Sequence, residues 1–238
     1  MNRLQLCQTV QGLLRAATGA LATTPTTTTG QTGVEGEIVR FVDYAYRDIQ
    51  IEQEEWRFRT KRGSFVTVAG TRAYTISVTD TDFEKLLPSM AQDYSQFITH
   101  YLTATGVSDE QRLWFVPYED WQQSWLEIGS RPQARPFNFT IEPDGQMALD
   151  PTPDAVYTVV FDYRRTLHEL TTDSDATTGT PIIPARFHMA IVWKAVIYYC
   201  ITRGDTGALR QQADLELRRV MTDLRFDQLP TMLTVDDL

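Results

Sequence analysis

The chain has 238 residues, of which 42% are apolar, so it can bury a core in one large domain or two small ones. Its 22 basic and 31 acidic residues give a net charge of −9, and only three of the basic residues are lysines. This balance disfavours a protein whose whole surface grips nucleic acid, because phosphate binding needs a cationic face.

Apolar residues at helical spacing predict two amphipathic helices at the N-terminal end, over residues 2–18 and 34–56. The first apolar stripe consists of Leu6, Val10, Leu13, Leu14 and Ala17, and the second of Ile38, Phe41, Val42, Ala45 and Ile49. Between them, residues 23–32 are rich in threonine and too β-branched to prolong a helix. We interpret this run as a linker or an ordered loop.

In the middle of the chain apolar and polar residues alternate with a period of two, which is typical of strands. Residues 64–68 and 73–78 flank Gly70-Thr71 and predict a β-hairpin. Residues 137–142 and 147–149 flank Pro143-Asp144-Gly145 and predict a second hairpin. Residues 156–163 are apolar on both faces, which indicates a central strand. A short helix is predicted over residues 117–128, with Trp121, Trp125 and Ile128 on one face.

Two further helices are predicted after the polar run 171–180. Residues 185–203 are apolar nearly all round, which is typical of a helix in a core or a subunit interface. Gly204 can end that helix and Asp205 can cap the next one, over residues 206–224. The stripe of the last helix is Leu209, Ala213, Leu217, Val220 and Leu224. Residues 227–238 show no helical pattern.

The order of these elements predicts an α+β fold, in which the terminal helices form a helical bundle and the middle forms a β-rich sandwich or barrel. The predicted parts are an N-terminal helical pair with its Thr-rich linker (1–60), a β-rich middle domain (61–170), a C-terminal helical hairpin completing the bundle (171–226) and a C-terminal extension (227–238).

The two cysteines, Cys7 and Cys200, lie in apolar helical patterns and are predicted to be buried free thiols. They supply neither a disulfide framework nor a zinc site, so a reducing compartment fits best. The N-terminus leads into an amphipathic pattern rather than a signal peptide. The most apolar run, 189–201, is interrupted by Lys194 and is too short to cross a bilayer. We expect a soluble protein made in a cytosol.

Motifs of catalysis or cofactor binding are absent from the sequence, so we predict no catalytic, cofactor or metal residues. It contains no phosphate-binding glycine loop and no serine nucleophile elbow, and its three histidines lack metal-ligand spacing. Acidic residues keep a carbohydrate-active or cell-wall-degrading enzyme as an alternative; they are Glu119, Asp120, Asp144, Asp150 and Asp154. The basic run of Arg57, Arg59, Lys61 and Arg62 could bind phosphate, or it could stabilise a helix C-terminus through the helix dipole.

Several strings, taken in order, resemble the head-to-tail adaptor proteins of short-tailed phages, of the kind found in SU10-like podoviruses. They include the N-terminal MNRLQLCQTV, Gly30-Gln31-Thr32-Gly33 before a helix, Glu55-Trp56-Arg57-Phe58-Arg59, Pro117-Tyr118-Glu119-Asp120-Trp121, the run 139–163, and Ile183-Pro184 before Phe187. The resemblance extends over about residues 1–225, and it is poorest over residues 91–100.

The resemblance implies a structural virion protein at the head–tail junction, assembled in the host cytoplasm. Such adaptors form a homo-oligomeric ring, usually of about twelve copies, between the portal protein and the tail nozzle or fibre proteins. Genomic DNA passes through the lumen without specific binding. The implied portal-contact candidates are Leu229, Met232, Leu233 and Asp236, and the subunit-interface candidates are Trp193, Tyr198, Trp56 and Arg59. Another tail part, a nozzle or fibre-attachment protein, remains an alternative.

The acidic composition suits the lining of a DNA conduit, because each Lys or Arg facing the lumen would add a phosphate contact. We therefore expect a neutral or acidic lumen, with most arginines paired to carboxylates at subunit contacts.

Overall fold

The computed structural model divides the chain into a helical unit, formed by Met1–Arg59 with Leu167–Leu238, and a β-rich unit, Thr60–Thr166. The structure describes residues 1–18, 25–76, 82–87, 98–128, 132–173, 175, 178–204 and 207–229. Helices at both chain ends and strands in the middle confirm the α+β class, and the sheets described do not close into a barrel. Among the described helices, none is both long and apolar enough to span a membrane.

The described part of the helical unit contains four α-helices: α1 (Arg3–Thr18), α2 (Gly33–Glu52), α4 (His188–Arg203) and α5 (Ala208–Gln228). Helix α4 packs against the other three, which is why its sequence is apolar nearly all round. Most residues of the predicted stripes are buried in this core: Leu6, Val10 and Leu14 of α1 and Ile38, Val42, Ala45 and Ile49 of α2. Leu13 and Phe41 are partly buried against it, and Ala17 is exposed near the end of α1. The two cysteines are buried and free, as predicted.

The ends of the central helix α4 follow local backbone chemistry. A turn of 3₁₀ helix, Ala185–Phe187, leads into it. Gly204 ends it with a φ of 68°, a left-handed conformation that glycine adopts without strain, and its N–H donates to the carbonyls of Cys200 and Ile201. The predicted cap of the next helix, Asp205, lies outside the described residues, and α5 begins at Ala208 after Gly207.

Polar contacts attach the loops of the helical unit to its helices. Asp173 accepts hydrogen bonds from the hydroxyls of Thr27 and Thr28 and from the Thr28 backbone N–H. Arg3 of α1 donates to Thr28 Oγ1 at 3.1 Å and pairs with Asp43 of α2. The described part of the Thr-rich run, residues 25–32, is therefore an ordered loop.

In its described residues the β-rich unit contains two sheets and one α-helix. In the first sheet the strand order is β1-β9-β4-β5, with β3 also paired to β9; in the second it is β2-β8-β7-β6. The strands are β1 (Thr60–Val66), β2 (Ala73–Tyr74), β3 (Phe83–Leu86), β4 (Ile98–Leu102), β5 (Gln111–Arg112), β6 (Trp114–Phe115), β7 (Asn138–Ile141), β8 (Met147–Asp150) and β9 (Tyr157–Arg165). Helix α3 spans Tyr118–Ile128, directly after Pro117.

Two of the strand predictions are confirmed and one is wrong. Strands β7 and β8 form the hairpin expected around Gly145, whose φ is 83°, and β9 pairs with β1, β3 and β4 as a central strand. Among the described residues the hairpin predicted around Gly70-Thr71 does not form, because β1 pairs with β9 in one sheet and β2 with β8 in the other. Residues 77 and 78 of the predicted second strand lie outside the described residues.

Candidate functional site

Three of the four predicted subunit-interface residues are buried, and the fourth is partly buried. Trp56 is fully buried, with its indole Nε1 donating to the Ile49 carbonyl at 2.8 Å, and Arg59 is buried beside the Gln50 carbonyl. Trp193 is buried in the core around α4, whereas Tyr198 is half-buried. The interface assignment stays a prediction. Trp56 and Arg59 could contribute to a contact only by supporting their neighbours.

Tyr198 lines an apolar groove between α2 and α4. This α2–α4 groove has a volume of about 520 Å³ and is lined by Phe41, Tyr44, Arg47, Asp48, Ile51, Tyr198, Ile201 and Thr202. Three of the lining side chains, Tyr44, Ile51 and Ile201, are more than half exposed although they are large and apolar. A cluster of this kind marks a site of interaction better than scattered single residues do.

Side-chain contacts hold the groove in shape. The Tyr198 hydroxyl donates a hydrogen bond to the Asp48 carboxylate, and burial together with this anionic partner raises the pKa of Tyr198. The Phe41 ring lies 6.4 Å from the Tyr198 ring and 6.5 Å from the Tyr199 ring. Arg203 of α4 pairs with Glu37 of α2 at 2.8 Å. The groove is therefore pre-formed in the isolated chain.

Helix α5 carries a second exposed apolar feature. Phe226 is 83% exposed, and Leu215, three turns earlier on the same helix face, is 67% exposed. Asp223, one turn before Phe226, is exposed as well. We refer to Phe226 with Asp223 as the α5 knob.

Of the predicted portal-contact residues, Leu229 alone lies in the described part of the chain. It is half-buried against the helical core, where its N–H donates to the Arg225 carbonyl. Met232, Leu233 and Asp236 lie outside the described residues. The end of α5 is fixed by two ion pairs, Arg186 with Asp227 and Arg225 with Glu52. The Arg186 guanidinium lowers the pKa of Asp227.

Arginine–carboxylate pairs occur within each unit, rather than being reserved for subunit contacts as the sequence suggested. At least ten arginines pair in this way; in the helical unit they are Arg3, Arg186, Arg203, Arg210, Arg219 and Arg225, and in the β-rich unit Arg62, Arg72, Arg135 and Arg164. Many guanidinium groups are thus already neutralised inside one copy.

The acidic residues considered for an enzyme have local roles or lie at the surface. Asp144 accepts from the Gln146 N–H at 3.0 Å in the hairpin turn, and Asp154 accepts from the Tyr157 hydroxyl at 2.8 Å. Asp150 is buried in β8, while Glu119 and Asp120 are exposed in the first turn of α3. Turn and helix-start chemistry accounts for Asp144, Glu119 and Asp120 without invoking catalysis.

The histidines and the basic run likewise take part in structure. His168 Nδ1 lies 2.8 Å from the Tyr46 hydroxyl, and His188 Nε2 lies 2.8 Å from the Ile183 carbonyl. In the β-rich unit Lys61 pairs with Asp82 and Arg62 with Asp162. Within the described residues, histidine, cysteine and acidic side chains form no group of three that could hold a metal ion.

Sequence reasoning named Tyr198 but missed the rest of the groove and the knob. The signal was present in α2, where Tyr44 and Ile51 are large apolar residues lying outside the predicted stripe. Phe226 lay beyond the predicted end of the last helix, at 224, so its place on the face of α5 was not visible.

A model of the family described as SU10 adaptor protein matches residues 1–235, which covers nearly the whole chain and includes both units. A comparison with curated proteins finds no match to this chain. The family match confirms the resemblance to phage adaptors that the ordered strings indicated. The chain belongs to the SU10 adaptor protein family, and it is accordingly a structural phage protein of the adaptor type.

Proposed function

We propose that this chain is the head-to-tail adaptor of a short-tailed phage. Its copies form a ring between the portal protein and the tail nozzle or fibre proteins, and DNA passes through the ring without specific binding. The observation that carries the proposal is the family match over residues 1–235, because it spans the helical and the β-rich unit alike. The exposed groove and knob of the helical unit support a role in assembly.

The segment that follows α5 is the proposed portal contact. Residues 230–238 include Met232 and Leu233 as apolar anchors and Asp236 as a charged group. The ion pairs of Asp227 and Arg225 fix the end of α5, so this segment starts from a defined point on the helical unit. A defined starting point lowers the entropy that the segment loses on binding.

The first test combines the purified protein with purified portal complexes, followed by sedimentation and electron microscopy. The expected result is a ring of adaptor on the portal and monomers or loose oligomers without it. Failure to bind portal, together with absence of the protein from virions, would refute the proposal.

The second test addresses residues 230–238 by substitution, because truncation at Asp227 would also remove groups that fix α5. Met232→Asp with Leu233→Asp should abolish portal binding and leave the circular dichroism spectrum unchanged. The matched control, Thr231→Asp with Thr234→Asp, adds the same charge and should bind. Portal binding by the first variant would show that this segment is not the contact.

Cross-linking mass spectrometry of virions separates this proposal from the alternative of a nozzle or fibre-attachment protein. The adaptor proposal requires cross-links between residues 230–238 and the portal, and the alternative requires none.

A further inference from the structure

The α2–α4 groove and the α5 knob are two complementary features of the same unit. The groove offers an apolar hollow of about 520 Å³ with the exposed Arg47 at its rim. The knob offers one large aromatic side chain, Phe226, with the carboxylate of Asp223 one turn away. An exposed phenylalanine gains a large burial area when it enters such a hollow, and the two charges have opposite sign.

Within one copy the knob does not fill the groove. Phe226 is 83% exposed and is not among the residues that line the groove. Tyr44, Ile51 and Ile201 remain more than half exposed in the groove. Among the described residues these side chains keep more than half of their surface exposed, so they are available to a second molecule.

We propose that Phe226 of one copy enters the α2–α4 groove of the next copy, with Asp223 facing Arg47 across the contact. This inference rests on the proposed function, because it supplies the side-to-side contact of the ring. Since knob and groove are different patches, each copy donates one and receives the other. Such a heterologous contact repeats around a closed rotation.

The size of the groove explains why the ring needs the portal. A stable protein–protein interface buries roughly 800 Å² on each partner, with about 20 residues or more a side. The groove has eight lining residues, so this contact alone is weak. We therefore expect loose association in isolation, and ring closure once the portal holds the copies side by side and raises their effective concentration.

Charge introduction tests the two features separately. Ile201→Glu places a carboxylate in the groove and Phe226→Glu removes the knob; both side chains are more than half exposed, so the fold should survive. Each variant should lose rings on the portal while its circular dichroism spectrum stays unchanged. The matched control is Val107→Glu in the β-rich unit, where Val107 is 69% exposed, and it should assemble normally. Normal rings with Phe226→Glu would overturn the inference.

A disulfide experiment tests the direction of the contact. The double variant Arg47→Cys with Asp223→Cys, oxidised on the portal, should give a ladder of covalent dimers, trimers and larger species. The native cysteines are buried and should not contribute. The control Arg47→Cys with Val107→Cys should give no ladder. A ladder that stops at the dimer, or no ladder on intact rings, would overturn the inference but leave the adaptor function standing. Failure of the wild-type protein to bind portal would instead refute the adaptor function.

Discussion

His100 in β4 is a buried histidine of the β-rich unit with a charged neighbour. It is almost fully buried, and its Nε2 accepts a hydrogen bond from Arg135 Nε at 3.0 Å. Arg135 also makes two hydrogen bonds to the Asp109 carboxylate and one to its carbonyl. Burial, together with the adjacent guanidinium, lowers the pKa of His100 from 6.5 to about 4.

This low pKa makes the β-rich unit sensitive to acid. Because the native pKa lies below that of an unfolded chain, the unfolded state binds the proton first as the pH falls. The free energy of unfolding should therefore decrease between pH 6.5 and about 4 and level off below. His100 can change the free energy of unfolding by at most about 3 kcal/mol, because each unit of difference between its unfolded and native pKa corresponds to 1.36 kcal/mol.

The variant His100→Gln isolates this effect, because glutamine can accept the Arg135 hydrogen bond and does not titrate. Urea unfolding of both proteins across this pH range should show a steeper loss for the wild type. His168 and His188 are present in both proteins, so their contribution cancels in the difference. Parallel profiles would contradict the assignment, and an NMR titration of the His100 ring gives its pKa directly.

At the scale of elements, α2 ends earlier than its sequence predicts, and a side chain binds a backbone carbonyl at its end. The sequence predicts helix to residue 56, but α2 stops at Glu52 and the chain turns back. The Trp56 ring then lies in the core, stacked on Phe58 at 5.3 Å, with its Nε1 donating to the Ile49 carbonyl in the last turn of α2. The indole thus satisfies one of the carbonyls that a helix end leaves without a partner.

Removing this ring should destabilise the helical unit strongly. Trp56→Ala leaves a cavity at a fully buried position and removes the hydrogen bond to Ile49, so we expect a loss of about 3–5 kcal/mol. Thermal and urea unfolding measure it. Phe226→Ala, an exposed aromatic residue of the same unit, should change the stability of the isolated protein by less than about 0.5 kcal/mol. Equal effects of the two substitutions would contradict this account.

The strands show which part of the fold the sequence could predict. The β7–β8 hairpin has its turn signal and both strands within thirteen residues, so its pairing is local. Strand β1 also has an alternating pattern, but its partner is β9, about 100 residues later. Strands β5 and β6 have two residues each, too few to show any period. The sequence therefore predicts turns and long strands better than strand partners.

The candidate site could not be predicted for the same reason, because sequence patterns do not show which distant elements pack together. The apolar character of α4 predicted an interface or a core, and Tyr198, predicted from it as a subunit-interface residue, is partly buried at the groove. Its role in a subunit interface stays a prediction. The groove itself depends on α2 packing beside α4, from residues about 150 positions away in the chain. No pattern within either helix predicts that hollow, so Tyr44 and Ile51 could be recognised only after the helices were placed together.

At the scale of the whole molecule, the net charge is −9, and arginines pair with carboxylates that lie far away in the chain. Arg203 pairs with Glu37 at a separation of 166 residues, and Arg225 pairs with Glu52 at 173. Guanidinium groups held by carboxylates are less available to phosphate than free ones. If the proposed ring carries DNA, subunits of this kind would keep arginine for structure and offer few phosphate contacts to the lumen.

Glu37→Gln with Glu52→Gln should therefore raise the affinity for nonspecific duplex DNA, because it releases Arg203 and Arg225. Exposed ion pairs are worth about 0.2–1 kcal/mol each, so the two together correspond to about a twofold to thirtyfold increase over the wild-type protein. Fluorescence anisotropy with a labelled duplex at about 50 mM salt measures the affinity, and the increase should shrink as the salt concentration rises.

Glu119→Gln with Asp120→Asn separates the release of arginines from the change in net charge. Both double variants make the protein less acidic by the same two charges, but Glu119 and Asp120 are exposed at the start of α3 and hold none of the ion-paired arginines described above. If pairing controls phosphate binding, this second variant should bind DNA less tightly than the first. Equal gains in the two variants would mean that net charge alone keeps DNA from adhering, and the paired arginines would then have no part in it.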